Sequence, residues 1–168
     1  LYPVIEKQVR RASGEIRPAF ISGSTKATNP LAWQPGFAIL FDFEILSLLS
    51  ATEHEVISTG GRLSRENRSC LVGNDAIQCF SQIRADHAFF STKSLASDGT
   101  LFDCNREEVF VRNTMIANAA NKVYLCDTGK FDTYSSYKQG TLRDVDYIVT
   151  EKKPQDINLK GFPNLIIL

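Results

Sequence analysis

Short β-branched and aromatic runs alternating with helix-patterned stretches predict an α/β protein, a mostly parallel sheet with helices on both faces. Three observations carry this. The apolar runs are only a few residues long, helical patterns fall between most of them, and one run, Val123-Tyr124-Leu125-Cys126, stops abruptly at Asp127-Thr128-Gly129-Lys130. Parallel neighbours need crossover connections, usually helices, so the alternation selects a parallel arrangement. In open sheets of this kind the ligand crevice lies beyond the carboxyl ends of the strands, which puts Asp127 and Lys130 at its rim. That pair suits a polar, anionic small molecule.

In chain order, Tyr2, Ile5, Val9 and Ala12 recur at helical spacing before Gly14, predicting a linker helix over 1–14. Ala19-Phe20-Ile21 reads as a strand, followed by Ser22-Gly23-Ser24-Thr25. A small-residue turn there turns backbone N–H groups and hydroxyls toward an anion, although the same residues also make an ordinary strand-to-helix turn. Asn29 before Pro30 marks the cap of a late-starting helix. The run from Phe37 to Phe43 reads as a strand interrupted by Asp42, with a helix over Glu44–Ala51. Asp42 is suited to capping that helix or to touching a ligand, and capping is the plainer role.

Glu55-Val56-Ile57 is the next strand, and Gly60-Gly61 after it marks a sharp turn or a close backbone approach. A helix over Gly73–Ala85 leads to a strand at Ala88-Phe89-Phe90, with Lys93 just past its end. The helix over Asn105–Asn121 is the best defined, because Asn105 can cap it and Glu108 stands in capping-box spacing. Glu108 and Arg112 are four residues apart, an arrangement that on an exposed helix is worth about 0.2–0.5 kcal/mol. If that first turn faces the crevice, Arg112 can instead hold a phosphate or carboxylate with two hydrogen bonds. Val123–Cys126 and Tyr147–Val149 follow as strands, then a looser Pro- and Gly-containing stretch, then a last strand at Leu165–Leu168.

A chain of 168 residues is expected to form one domain that buries about two thirds of its unfolded surface. Its 19 basic and 19 acidic residues cancel without a basic block, so these residues offer no cationic face for nucleic acid. Cys70, Cys79, Cys104 and Cys126 lack metal-ligand or C-x-x-C spacing and read as reduced, buried thiols of a cytoplasmic protein. No apolar run approaches the roughly 20 residues needed to cross a bilayer, and no leader pattern is present, so neither membrane nor secretion is expected. His54 and His87 are the only histidines, and His87 beside Asp86 reads as structural. Two histidines so placed assemble no Ser-His-Asp, Cys-His or metal set, so no catalytic residue, metal or cofactor is expected. The chain opens at Leu1, and further residues upstream are expected.

Four stretches stand in a telling order: Ser58-Thr59-Gly60-Gly61 with Val72-Gly73; Asp86-His87-Ala88-Phe89-Phe90; Asn105-Arg106-Glu107-Glu108 leading to Arg112 and Met115-Ile116; and Leu125-Cys126-Asp127-Thr128-Gly129-Lys130-Phe131 with Asp146-Tyr147-Ile148-Val149-Thr150. Together they resemble the C-terminal effector-binding domain of DeoR-type bacterial transcriptional repressors, over about residues 15–151. The resemblance implies a fold like that of ribose-phosphate isomerase and the CoA transferases, used to sense a phosphorylated sugar or related metabolite. It also implies a homo-oligomer that meets DNA only through an N-terminal winged helix-turn-helix outside this chain.

Carried over by position, Gly23, Ser24 and Thr25 match the phosphate loop of that family, and Glu108, Asp127 and Lys130 match polar residues around its effector pocket. Arg112 stands where a lysine is usual, Ile21-Ser22 where an aspartate often precedes the loop, and Phe41-Asp42 where Thr-Asn is usual. A carboxylate beside a phosphate repels it, so either the ligand departs from a common sugar phosphate or Asp42 reads a sugar hydroxyl. The expected effector site therefore comprises Gly23, Ser24, Thr25, Asp42, Gly60, Gly61, Lys93, Glu108, Arg112, Asp127 and Lys130. Two rival readings remain: a sugar-phosphate isomerase or deaminase of the same fold, using Asp127, Glu108 and Lys130 as acid and base groups, and a domain that only dimerises.

Overall fold

The computed structural model describes residues 37–51, 55–151 and 164–167. The expected helix over 1–14, the strand at Ala19–Ile21, the Gly23-Ser24-Thr25 turn, the cap at Asn29 and His54 lie outside the described residues.

The first parallel pair is β1 (Phe37–Leu40) with β2 (Glu55–Ser58), joined by α1 (Phe43–Leu49). The expected strand from Phe37 to Phe43 is thus cut short at Leu40, because Asp42 starts the helix: its Oδ1 accepts from the backbone N–H groups of Glu44 at 2.9 Å and Ile45 at 3.0 Å. Two glycines follow β2 with φ of +68° at Gly60 and +92° at Gly61. A Cβ on Gly61 would lie 2.6 Å from the Val72 carbonyl oxygen, so the close approach expected there is met by bare backbone. The approach belongs to a small antiparallel pair, β3 (Arg62–Leu63) with β4 (Leu71–Val72).

Next come α2 (Asn74–Ser81), β5 (Ala85–Phe90), β6 (Ser94–Leu95), β7 (Thr100–Asp103), α3 (Arg106–Ala117) and β8 (Ala119–Cys126). A short 3₁₀ turn at Thr128–Lys130 leads to β9 (Tyr137–Thr141), a second at Leu142–Asp144 to β10 (Tyr147–Thr150), and β11 (Asn164–Ile167) closes the described chain. The larger sheet runs β11-β10-β8-β5 and is parallel throughout. Neighbouring residues Val123 and Tyr124 on β8, and Ile148 and Val149 on β10, are all buried, so both faces of this sheet are covered. The fourth sheet, β6-β7-β9, is antiparallel.

The chain is α/β with several parallel strands, and the antiparallel strands add to what the sequence predicts. β3, β4 and β6 are two residues each, too short to show a strand pattern, and β9 reads Tyr-Lys-Gln-Gly-Thr, without apolar alternation. Helix α3 stops at Ala117 instead of Asn121, because Ala119 and Asn121 pair with Ala85 and His87 of β5. One apolar core, including Ile39, Val72, Phe80, Phe90, Val111 and Ile148, joins β1, the larger sheet, α2 and α3. It fixes the strand ends that carry the polar groups.

Candidate functional site

Phe90 of β5 is paired with Tyr124, and Thr150 of β10 with Cys126, so three parallel strands end almost level. The residues that leave these ends form a polar rim. Asp127 caps the first 3₁₀ turn, its Oδ1 accepting from the Gly129 N–H at 3.1 Å, while its Oδ2 lies 3.0 Å from the Lys130 Nζ. The Lys130 ammonium also donates to Ser91 Oγ at 2.6 Å, and that hydroxyl donates a hydrogen bond to the Leu125 carbonyl at 2.6 Å. The Lys130 ammonium is thus hydrogen-bonded to one hydroxyl and paired with one carboxylate, and the side chain keeps a fifth of its surface exposed. Glu151, after β10, accepts from the Thr128 N–H at 2.9 Å, and Lys93 is exposed beyond β5. Below the rim, Tyr124 is fully buried with its hydroxyl 2.8 Å from Thr92 Oγ1, and burial pushes its titration up. Burial likewise pushes the Cys126 thiol up to about 11, which leaves it a poor nucleophile.

A second polar group lies inside the protein around α3. Asn105 caps this helix, its side-chain oxygen accepting from the N–H groups of Glu107 and Glu108. Glu108 does not close a capping box; it turns toward Arg112, with 3.6 Å between Oε2 and NH2. Arg112 NH1 lies 2.8 Å from Asp103 Oδ2 and donates to Gln139 Oε1 at 2.8 Å. Glu108, Arg112 and Asp103 are each about 95% buried, at 4%, 5% and 5% exposure. Burial raises the Glu108 titration, the Arg112 charge lowers it, and Asp103 raises it again. Asp42 reaches the edge of this group through a backbone bridge to Cys70, and burial raises its carboxyl as well. Arg112 also lies over the Phe41 ring, 6.0 Å from its centre.

The expected site residues therefore fall into two sets. Lys130 and Asp127 meet at the strand-end rim, near Ser91, while Glu108 and Arg112 meet in the interior, where Asp42 comes near through its bridge to Cys70; Gly60 and Gly61 are exposed, and Gly61 meets the Val72 backbone and not the Glu108–Arg112 pair. Ser91, Asp103, Gln139 and Glu151 went unread in the sequence. Ser91 directly follows a strand beside Lys93, a signal that could have found it, whereas Asp103 and Gln139 reach Arg112 through strand pairings that no local pattern shows. All four cysteines are free, and Cys104 is exposed where a buried thiol was expected. Among the described residues no group of three His, Cys, Asp or Glu could hold a metal ion, and no helix is long and apolar enough to cross a membrane.

The family model of the DeoR C-terminal sensor domain matches residues 39–152. The chain belongs to this family. The match takes in β1 through β10 apart from the first residues of β1, and with them both polar sets, whereas Gly23, Ser24 and Thr25 precede it. Relatives of the DeoR sensor domain include the glycerol-3-phosphate regulon repressor of Haemophilus influenzae, 26% identical over 61% of this chain and 40% of that protein. The HTH-type transcriptional repressor CsqR of Escherichia coli is 30% identical over 60% of this chain and 38% of its own length. The L-fucose operon activator of Escherichia coli is 27% identical over 59% of this chain and 40% of its own. The matched part is about two fifths of each relative's length.

Proposed function

We propose that this DeoR sensor domain is the ligand-reading part of a cytoplasmic transcription regulator and binds a phosphorylated sugar or a related anionic metabolite. The observation that carries the reading is the rim at the level ends of β5, β8 and β10, where the partly exposed Lys130 is held by Asp127 and Ser91. A fixed ammonium with a donor to spare suits a phosphate or a hydroxyl, and Asp127 beside it suits sugar hydroxyls. Lys93 adds a second cation on the neighbouring strand end, and Gly23, Ser24 and Thr25 belong to the same proposal as the phosphate loop. Asp42, Gly60, Gly61, Glu108 and Arg112 form its inner wall, with Asp42 facing a hydroxyl rather than the phosphate.

The names of the relatives, a glycerol-3-phosphate repressor and an L-fucose activator, support ligands of this class. The proposal includes the ribose-phosphate isomerase-like fold, a homo-oligomer, and DNA contact through an N-terminal winged helix-turn-helix. Binding without turnover is sufficient: a ligand that prefers one arrangement of the oligomer shifts its population by the difference in affinity. Calorimetry with glycerol 3-phosphate and a panel of hexose and pentose phosphates tests it. Saturable binding by one class is expected; no heat from any of them at millimolar concentration would overturn the sensor reading.

A further inference from the structure

The turn that carries Lys130 has few hydrogen-bond donors left for an anion. The Thr128 N–H is taken by Glu151 Oε2 at 2.9 Å, the Gly129 N–H by Asp127 Oδ1 at 3.1 Å, the Lys130 N–H by the Asp127 carbonyl at 3.1 Å, and the Phe131 N–H by the Thr128 carbonyl at 3.4 Å. The Ser91 hydroxyl is committed as well. Its proton points to the Leu125 carbonyl, so toward Lys130 it only accepts. What remains to donate is the rest of the Lys130 ammonium and the Thr128 hydroxyl.

Acceptors are in surplus at the same place. Asp127 Oδ2 lies 3.0 Å from Lys130 Nζ, and the Asp127 side chain is 28% exposed, so this oxygen keeps lone pairs for a further donor. Two carboxylates, Asp127 and Glu151, stand against one ammonium, which leaves the turn with a net negative charge. A phosphate group carries about two negative charges near neutral pH and only accepts, so it meets repulsion and few donors here. A hydroxyl both donates and accepts. Two neighbouring hydroxyls therefore match a carboxylate oxygen and an ammonium set side by side.

We propose that Asp127 and Lys130 read the uncharged end of the ligand, a pair of neighbouring hydroxyls, and that its phosphate lies away from this turn, toward Lys93 and the Gly23-Ser24-Thr25 loop. One hydroxyl donates to Asp127 Oδ2 while its neighbour accepts from Lys130 Nζ. Ser91 acts through Lys130, holding the ammonium beside Asp127 without touching the ligand. The assignment rests on the rim being the ligand site, and it fixes which end of the ligand the rim holds.

NMR titration of the whole chain at matched ionic strength tests it, read at the Thr128 and Gly129 amides, the Asp127 carboxyl carbon and the Lys130 side chain. Two probes are used: inorganic phosphate, and the neutral parent sugars of the calorimetry panel. Neutral sugars are expected to shift the Asp127 and Lys130 signals saturably, and phosphate to leave all four sites unmoved. Asp127→Asn keeps an oxygen for the Gly129 N–H but removes the charge. It is expected to weaken neutral sugars and sugar phosphates alike by about tenfold, as for a lost hydrogen bond to a charged group. Were phosphate held by Lys130, removing the carboxylate beside it would tighten binding instead. Saturable phosphate shifts at this turn, silence from every neutral sugar, or affinity unchanged or raised by Asp127→Asn each overturns the assignment. Neutral sugars that saturate the rim while every sugar phosphate fails in calorimetry would sustain it and overturn the phosphorylated-ligand reading.

Discussion

Arg112 shows how one residue changes meaning between sequence and structure. Read along the helix it is half of a solvated pair with Glu108, a contact of a few tenths of a kcal/mol. In the fold it is 5% exposed and carries Asp103 and Gln139, nine and 27 residues away in sequence. Removing the cation leaves two carboxylates in the interior. Arg112→Met is therefore expected to lower stability by about 3–5 kcal/mol, as for other broken buried pairs. Urea denaturation followed by circular dichroism measures it, and a loss of about 1 kcal/mol or less would mean that the group behaves as a screened surface pair. The spacing of Glu108 and Arg112 was legible; their burial was not, because it depends on where β7 and β9 bring Asp103 and Gln139.

At the scale of elements, what the sequence states locally survives in the structure. Asn105 was readable as a cap, and it does cap α3, while its Nδ2 also donates to Ser64 Oγ at 2.9 Å. It thus ties the start of the helix to the turn before β4. Asn105→Ala should cost about 1–2 kcal/mol, the range for a lost N-cap and toward its upper end because the Ser64 bond goes too. Chemical denaturation should show a lower midpoint with an unchanged slope; no shift would mean that water replaces both roles of the side chain. The elements that escaped reading are those whose reason is a partner. Tyr137–Thr141 has no apolar alternation and becomes a strand by pairing with Thr100–Asp103, and Ala119-Ala120-Asn121, good helix residues, extend β8 because β5 lies beside them.

For the molecule as a whole, the parallel register is what turns scattered polar residues into a rim. The rule that ligands lie beyond strand carboxyl ends made Asp127 and Lys130 visible from sequence. Ser91 and Glu151 join them only because β5, β8 and β10 end level, and that depends on pairing over 39 residues from Ser91 to Lys130 and 23 from Thr128 to Glu151. A ligand bound there contacts separate strand ends that exist together only in the folded chain, so it must stabilise the whole fold and not a loop. The gain follows RT ln(1 + [L]/Kd), about 2.7 kcal/mol at a hundredfold excess over Kd. Lys130→Met removes a partly exposed pair, worth about 0–1 kcal/mol by itself, so the ligand-free protein should unfold at nearly the same urea concentration. With the sugar phosphate that binds in calorimetry, the original chain should gain the full increment and the variant little or none. An increment that survives Lys130→Met would place the ligand away from the rim, because no other change to the fold separates the two proteins.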